Sequence, residues 1–121
     1  MGLSYPLARH AVGAVLIGLG VLSANSSLAG EDVIEKGKAI AFDRSAGNCL
    51  ACHIIPGGEA PGTIGPPLLA MKVRFPEKAQ LRAQIYDPAV SNPETTMPPF
   101  GKHGILTEEE LDAVVEFIWN L

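Results

Sequence analysis

Apolar and polar positions repeat with a helical period in three parts of the chain, and no run alternates with the two-residue period of a half-buried strand. In ILTEEELDAVVEFIWNL, Leu111, Val114, Val115, Ile118 and Leu121 form one apolar stripe with acidic residues on the other side. Thr107 and Glu110 have the spacing of a capping box, and Leu106 and Leu111 that of a hydrophobic staple, so a helix is predicted to begin there. The segment EDVIEKGKAIAFD (31–43) carries Val33, Ile34, Gly37, Ile40 and Ala41 at helical spacing, and its predicted first turn is acidic, which suits the helix dipole. In FPEKAQLRAQIYDP (75–88), Pro76 takes the first helical position, Leu81 and Ile85 share a face, and Pro88 bars continuation. PPLLAMKVRF (66–75) has room for one more short helix. The predicted fold class is all-α, with three to four helices.

Two Gly/Pro-rich stretches, 54–66 and 87–105, are long for so small a domain, and structureless loops of that length are normally functional. Both would have to lie against something that the chain does not supply, and a large apolar cofactor would account for them. The N-terminal segment MGLSYPLARHAVGAVLIGLGVLSANSSLAG is different in kind. Arg9 and His10 precede an apolar run from Ala11 to Leu22, and Ser27 and Ala29 occupy the small positions of a cleavage site. The run falls short of the roughly 20 residues a spanning helix requires. Residues 1–29 are therefore expected to be a cleaved secretory signal peptide, and residues 30–121 a single domain in the periplasm with no membrane span. Cleavage removes one basic residue, Arg9, leaving eight basic against thirteen acidic. An acidic surface without basic clusters argues against nucleic acid and anionic membranes as partners.

The candidate chemistry lies in AGNCLACHIIPGG (46–58), which contains both cysteines of the chain. Export permits a disulfide, but a thioredoxin-like Cys-x-x-Cys needs a βαβ context that is missing, and it leaves His53 without a role. Zinc needs four ligands; only His103 could join Cys49, Cys52 and His53. Covalent haem uses all three residues of the motif. Positions i and i+3 of a helical turn share a face, so both thiols reach the vinyl groups of one porphyrin. His53 then supplies the proximal ligand, and Cys-x-x-Cys-His is the attachment signature of haem c.

One axial position remains, with Met71, Met97 and His103 as candidates. Met97, in NPETTMPPFG, precedes two prolines that stiffen its loop and keep it out of a helix. Met71 in LLAMKV reads as a flexible core filler, and His103 as a surface residue with no assigned role. Met97 is the expected ligand. His/Met ligation raises the reduction potential and leaves no open iron for substrate, which points to electron transfer. Metal-bound histidines usually donate their second ring N–H to an acceptor such as a carbonyl. In TIGPPLL, the Pro66 carbonyl could be that acceptor, or the segment could be a simple turn.

These residues occur in an order that resembles the class I c-type cytochromes: EKGKAIAF, CLACH, GPPL, MPPF and a final helix. That resemblance spans residues 30–121. It implies that Gly37 packs against Phe117 and that the Pro66 carbonyl accepts from His53. The longer runs GNCLACH, PGTIGPPL, LRAQIYDP and NPETTMPPFGKHGILTEEELDAVVEFI resemble the SoxX family. This implies a monohaem electron-transfer subunit, heterodimeric with a SoxA-type cytochrome, in an L-cysteine S-thiosulfotransferase. Such a complex oxidatively couples thiosulfate to a cysteine of the SoxYZ carrier, releasing two electrons. The catalytic centre is then expected on SoxA and not on this chain, which would pass electrons to a downstream acceptor. The alternative expectation is a free, diffusible periplasmic cytochrome.

Overall fold

The computed structural model describes residues 1–2 and 26–121, with side chains described for 1–2 and from residue 30 onward. The expected signal segment, 1–29, lies for the most part outside the described residues. Four helices follow one another: α1 Ser26–Phe42, α2 Met71–Arg74, α3 Lys78–Tyr86 and α4 Glu108–Trp119. Single 3-10 turns occur at Cys49–Ala51 and Pro88–Val90. No strand occurs among the described residues.

The helix boundaries differ in what sets them. At α4, Thr107 Oγ1 accepts from the Glu110 N–H at 3.3 Å and Glu110 Oε2 accepts from the Thr107 N–H at 2.9 Å, which completes the capping box. Donation from the Thr107 N–H and hydroxyl to this carboxylate holds the Glu110 carboxyl below the usual glutamate value. α3 departs from expectation. Its cap is Glu77, whose carbonyl accepts from the Gln80 N–H at 2.9 Å, so Pro76 lies ahead of the helix. The reason is tertiary: the Phe75 carbonyl, which a helix starting at Pro76 would need, accepts instead from Trp119 Nε1 at 3.0 Å. α1 also differs, running upstream to Ser26, so that Glu31 and Asp32 fall in its second turn and its first turn has no acidic residue. Helical bonding, once nucleated, extends through residues that carry no stop signal.

α4 is the element on which the others rest. Leu111, Val114, Val115 and Ile118 are buried as the stripe requires, while Leu121 at the helix end is half-buried. Leu81 and Ile85 of α3 and Met71 of α2 join the same core. On α1 the buried face is Gly37 and Ala41 with Ile34 and Ile40 beside them; Val33 points away and is 40% exposed. Ion pairs line the outside of the α3–α4 seam, Lys78 to Glu116 at 2.5 Å and Arg82 to Glu108 and Asp112. Such exposed pairs contribute little individually.

The closest approach is that of α1 to α4. A Cβ placed on Gly37 would lie 1.9 Å from the Ala113 carbonyl oxygen and 2.9 Å from Phe117 Cβ. Beside it, the Phe42 and Phe117 rings meet edge to face with centroids 5.9 Å apart. Gly37→Ala is therefore expected to cost roughly 3 kcal/mol, the upper part of the range for overpacking a core. Urea unfolding followed by circular dichroism checks this; an unchanged midpoint would show that the helices do not meet at this position.

Candidate functional site

The Cys-x-x-Cys-His segment folds as one tight turn. Asn48 adopts a left-handed conformation at φ 49° and opens the 3-10 turn Cys49–Ala51. The Cys49 carbonyl accepts from the N–H groups of Cys52 at 3.2 Å and His53 at 3.0 Å. Residues i and i+3 of a 3-10 turn eclipse one another, so the two cysteines project to the same side. The next stretch of chain then folds back along this turn. Gly62, Gly65 and Leu68 donate to the carbonyls of Leu50, Cys52 and Ile54 at 2.8, 2.8 and 2.9 Å.

That return path seats the histidine. His53 Nδ1 lies 2.7 Å from the Pro66 carbonyl oxygen. A carbonyl only accepts, so Nδ1 carries the proton and Nε2 is left with its lone pair free. Gly65 forms the wall behind the ring: a Cβ there would stand 2.3 Å from His53 Cε1 and 2.6 Å from Nδ1. Only glycine leaves room for the imidazole at this point.

Cys49, Cys52, His53, Pro66, Met71 and Met97 all border one cavity of about 720 Å³. Its size is within the range of cofactor sites. Core side chains form much of its wall, including Leu68, Phe100, Leu106, Val114 and Ile118. Both long loops contribute, the first through Ile64–Pro66 and the second through Asn92 and Glu94–Pro98. His103 is exposed and does not border the cavity. The two methionines differ. Met71 is 1% exposed, and its sulfur accepts weakly from Arg74 Nη1 at 3.5 Å. Met97 is half-buried at the end of a loop. Sequence reasoning passed over Arg44 and Arg74, cations that also border the cavity. Nothing in their local pattern distinguishes them from surface arginines.

The donor set suits a haem better than the alternatives. Cys49 and Cys52 are not joined to each other. Burial pushes the Cys49 thiol up to about 11, so it is neutral at pH 7 and a poor nucleophile or metal ligand. No group of three or more His, Cys, Asp or Glu side chains among the described residues could hold a metal without a porphyrin. A largely apolar cavity, two thiols on one side and an imidazole whose free nitrogen is set by a hydrogen bond do fit an iron porphyrin.

This fold and site define a cytochrome c domain. The chain matches the family described as cytochrome c oxidase, cbb3-type, subunit III over residues 32–118, and belongs to it. It is similar to the crystal structure of SoxXA from P. pantotrophus, with 32% identity, a TM-score of 0.63, and coverage of 70% of this chain and 78% of that one. It is also 38% identical over 73 residues to an uncharacterised lipoprotein of Aquifex aeolicus (strain VF5). That match takes in 60% of this chain but 35% of the relative, so the chain spans about a third of the relative's length. The described residues form a c-type cytochrome domain of all-helical, cytochrome c-like fold, with one haem-attachment motif in the sequence. No helix among the described residues is long and apolar enough to cross a membrane.

The wall behind His53 generates a test. If His53 ligates the haem iron, Gly65→Ala should displace the ring from Pro66 and weaken the iron bond by roughly tenfold, as loss of a supporting partner does at metal sites. Electron paramagnetic resonance of the oxidised haem protein would then show a high-spin fraction absent from the parent. An unchanged low-spin spectrum would mean that the ring position does not depend on this wall.

Proposed function

We propose that this protein is the electron-transfer subunit of a SoxAX-type complex, an L-cysteine S-thiosulfotransferase of the periplasm. The observation that carries the haem assignment is the meeting of Cys49, Cys52, His53 and Met97 at one cavity. Cys49 and Cys52 would hold haem c by thioethers, with His53 Nε2 and the Met97 sulfur as axial ligands and Pro66 orienting His53. When bound, the haem supplies a one-electron couple. The surrounding side chains exclude water and fix both ligands, so that reduction and oxidation need little rearrangement. With both thiols in thioethers and His53 and Met97 both holding the iron, the described residues would leave neither a free thiol nor an open iron to act on thiosulfate. The catalytic step then belongs to a SoxA-type partner, and this subunit accepts and relays the electrons released when thiosulfate joins the SoxYZ cysteine.

The likeness to SoxXA and the run NPETTMPPFGKHGILT support the assignment to that complex. Export by a signal peptide cleaved after Ala29 completes the reading. Such cleavage would leave α1 beginning near Gly30, with Glu31 and Asp32 in its first turn where they favour the dipole.

Two experiments test these assignments. Met97→Ala should lower the reduction potential and open the iron to cyanide or carbon monoxide; an unchanged spectrum without binding of either ligand would rule Met97 out. Native mass spectrometry of the tagged protein, taken from the periplasm of its own host grown on thiosulfate, should find residues 30–121 with one haem, bound one to one to a second haem protein. A lone haem-bearing chain would make it a free electron carrier instead. A mass without haem would sink the cofactor assignment.

A further inference from the structure

The loop that carries Met97 is closed at its base by an ion pair with one buried end. The chain leaves α3 at Asp87 and returns at Phe100–Lys102. There Phe100 donates to the Ile85 carbonyl at 3.2 Å, and Gly101 and Lys102 donate to that of Tyr86 at 3.2 and 3.1 Å. These bonds satisfy carbonyls that the last turn of α3 leaves without helical partners. Lys102 Nζ then donates to Asp87 Oδ2 at 2.6 Å, tying the last residue of the loop to the first.

The two ends of this pair are unlike. The Lys102 side chain is 55% exposed and that of Asp87 is 11% exposed. Every other ion pair among the described residues leaves both side chains at least 29% exposed. Asp87 Oδ1 is buried without a hydrogen-bond partner among the described residues, and among them Lys102 supplies the only side-chain bond to this carboxylate. A carboxylate with one oxygen buried and unpaired depends strongly on the partner that holds the other.

Near the start of the loop Ser91 Oγ donates to Gln84 Oε1 of α3 at 2.6 Å; beyond that residue no hydrogen bond among the described residues ties the outer part of the loop to the rest of the fold. The hydrogen bonds of residues 92–98 stay inside the loop, among them Met97 N–H to Thr95 Oγ1 at 3.1 Å and Asn92 N–H to the Pro88 carbonyl at 3.0 Å. Pro98 and Pro99, with fixed φ, connect Met97 to the base. Apart from its own packing against the core, Met97 takes its direction from where Phe100–Lys102 are fastened.

We propose that Asp87 and Lys102 are positioning residues for Met97: their pair closes the loop and keeps the thioether on the iron, and breaking it releases Met97 without unfolding the domain. This rests on the reading of Met97 as axial ligand. The test uses the oxidised, haem-loaded protein and three readouts: the rate of cyanide binding, the far-red sulfur-to-iron charge-transfer absorption, and the urea midpoint of the helices. Lys102→Gln should speed cyanide binding by roughly tenfold or more, the usual weight of a lost charge-assisted hydrogen bond, and weaken the far-red absorption. Asp87→Asn, which leaves no buried charge behind, should have a smaller effect in the same direction. The double variant should fall back toward Asp87→Asn, and Lys102→Arg should stay near the parent. Met97→Ala serves as the control. If it binds cyanide freely while Lys102→Gln and Asp87→Asn bind no faster than the parent, the positioning role is overturned and Met97 stands as ligand. A lower urea midpoint with an unchanged cyanide rate would likewise overturn it, leaving a purely structural pair. If Met97→Ala itself changes neither spectrum nor cyanide binding, the axial reading fails, and the positioning role fails with it.

Discussion

The near-contact of α1 and α4 at Gly37 is the constraint on which the rest of the structure depends. With no side chain between them, the α1 backbone reaches the Ala113 carbonyl, and the Phe42 and Phe117 rings close the seam beside it. That seam joins an early part of the chain to its last helix. Everything between has to be accommodated on one side of the pair, and α2 and α3 come to rest on α4. The two long loops are left to enclose a cavity walled partly by α4 itself, through Val114 and Ile118. The same stripe that stabilises the fold therefore also shapes the site. Core and cofactor environment are one surface here.

Each side of the site is held differently. The histidine side is held by backbone contact: three N–H groups of the 62–68 stretch bond to residues 50–54, the Pro66 carbonyl accepts from His53 Nδ1–H, and Gly65 backs the ring. The methionine side hangs from the last turn of α3, and its outer residues bond mainly to each other. Under the proposed ligation by His53 and Met97, an electron carrier would gain from this division, since one ligand would stay fixed while the strength of the other could be adjusted by what fastens its loop. A protein of this design has no need of an open iron or a reactive thiol.

Much of this was legible in the chain. The all-helical class followed from the 3.6-residue period, and the capping box at Thr107 and Glu110 marked the start of α4 to the residue, because a cap is written in side chains only three positions apart. The cysteine motif and the Gly-Pro and Met-Pro loops could be read as parts of one site for the same reason: each is a local pattern with its own chemistry. Val33 shows the limit of periodicity, since it has a helical spacing yet faces outward. A stripe read from one helix does not say how wide its partner is.

The sequence by itself determined the type of each element, the chemistry gathered at Cys49–His53, and the stiffness of the loop around Met97, since these depend on neighbours within a few residues. Tertiary structure decided the rest. Trp119 took the Phe75 carbonyl and moved the start of α3 past Pro76. The folding of 62–68 onto the cysteine turn chose the Pro66 carbonyl over a simple turn as the reading of TIGPPLL. Asp87 and Lys102 look like ordinary charged residues until the loop closes and buries one of them. In each case the deciding atoms lie far apart in the chain, and a hydrogen bond between distant residues leaves no local trace in the sequence.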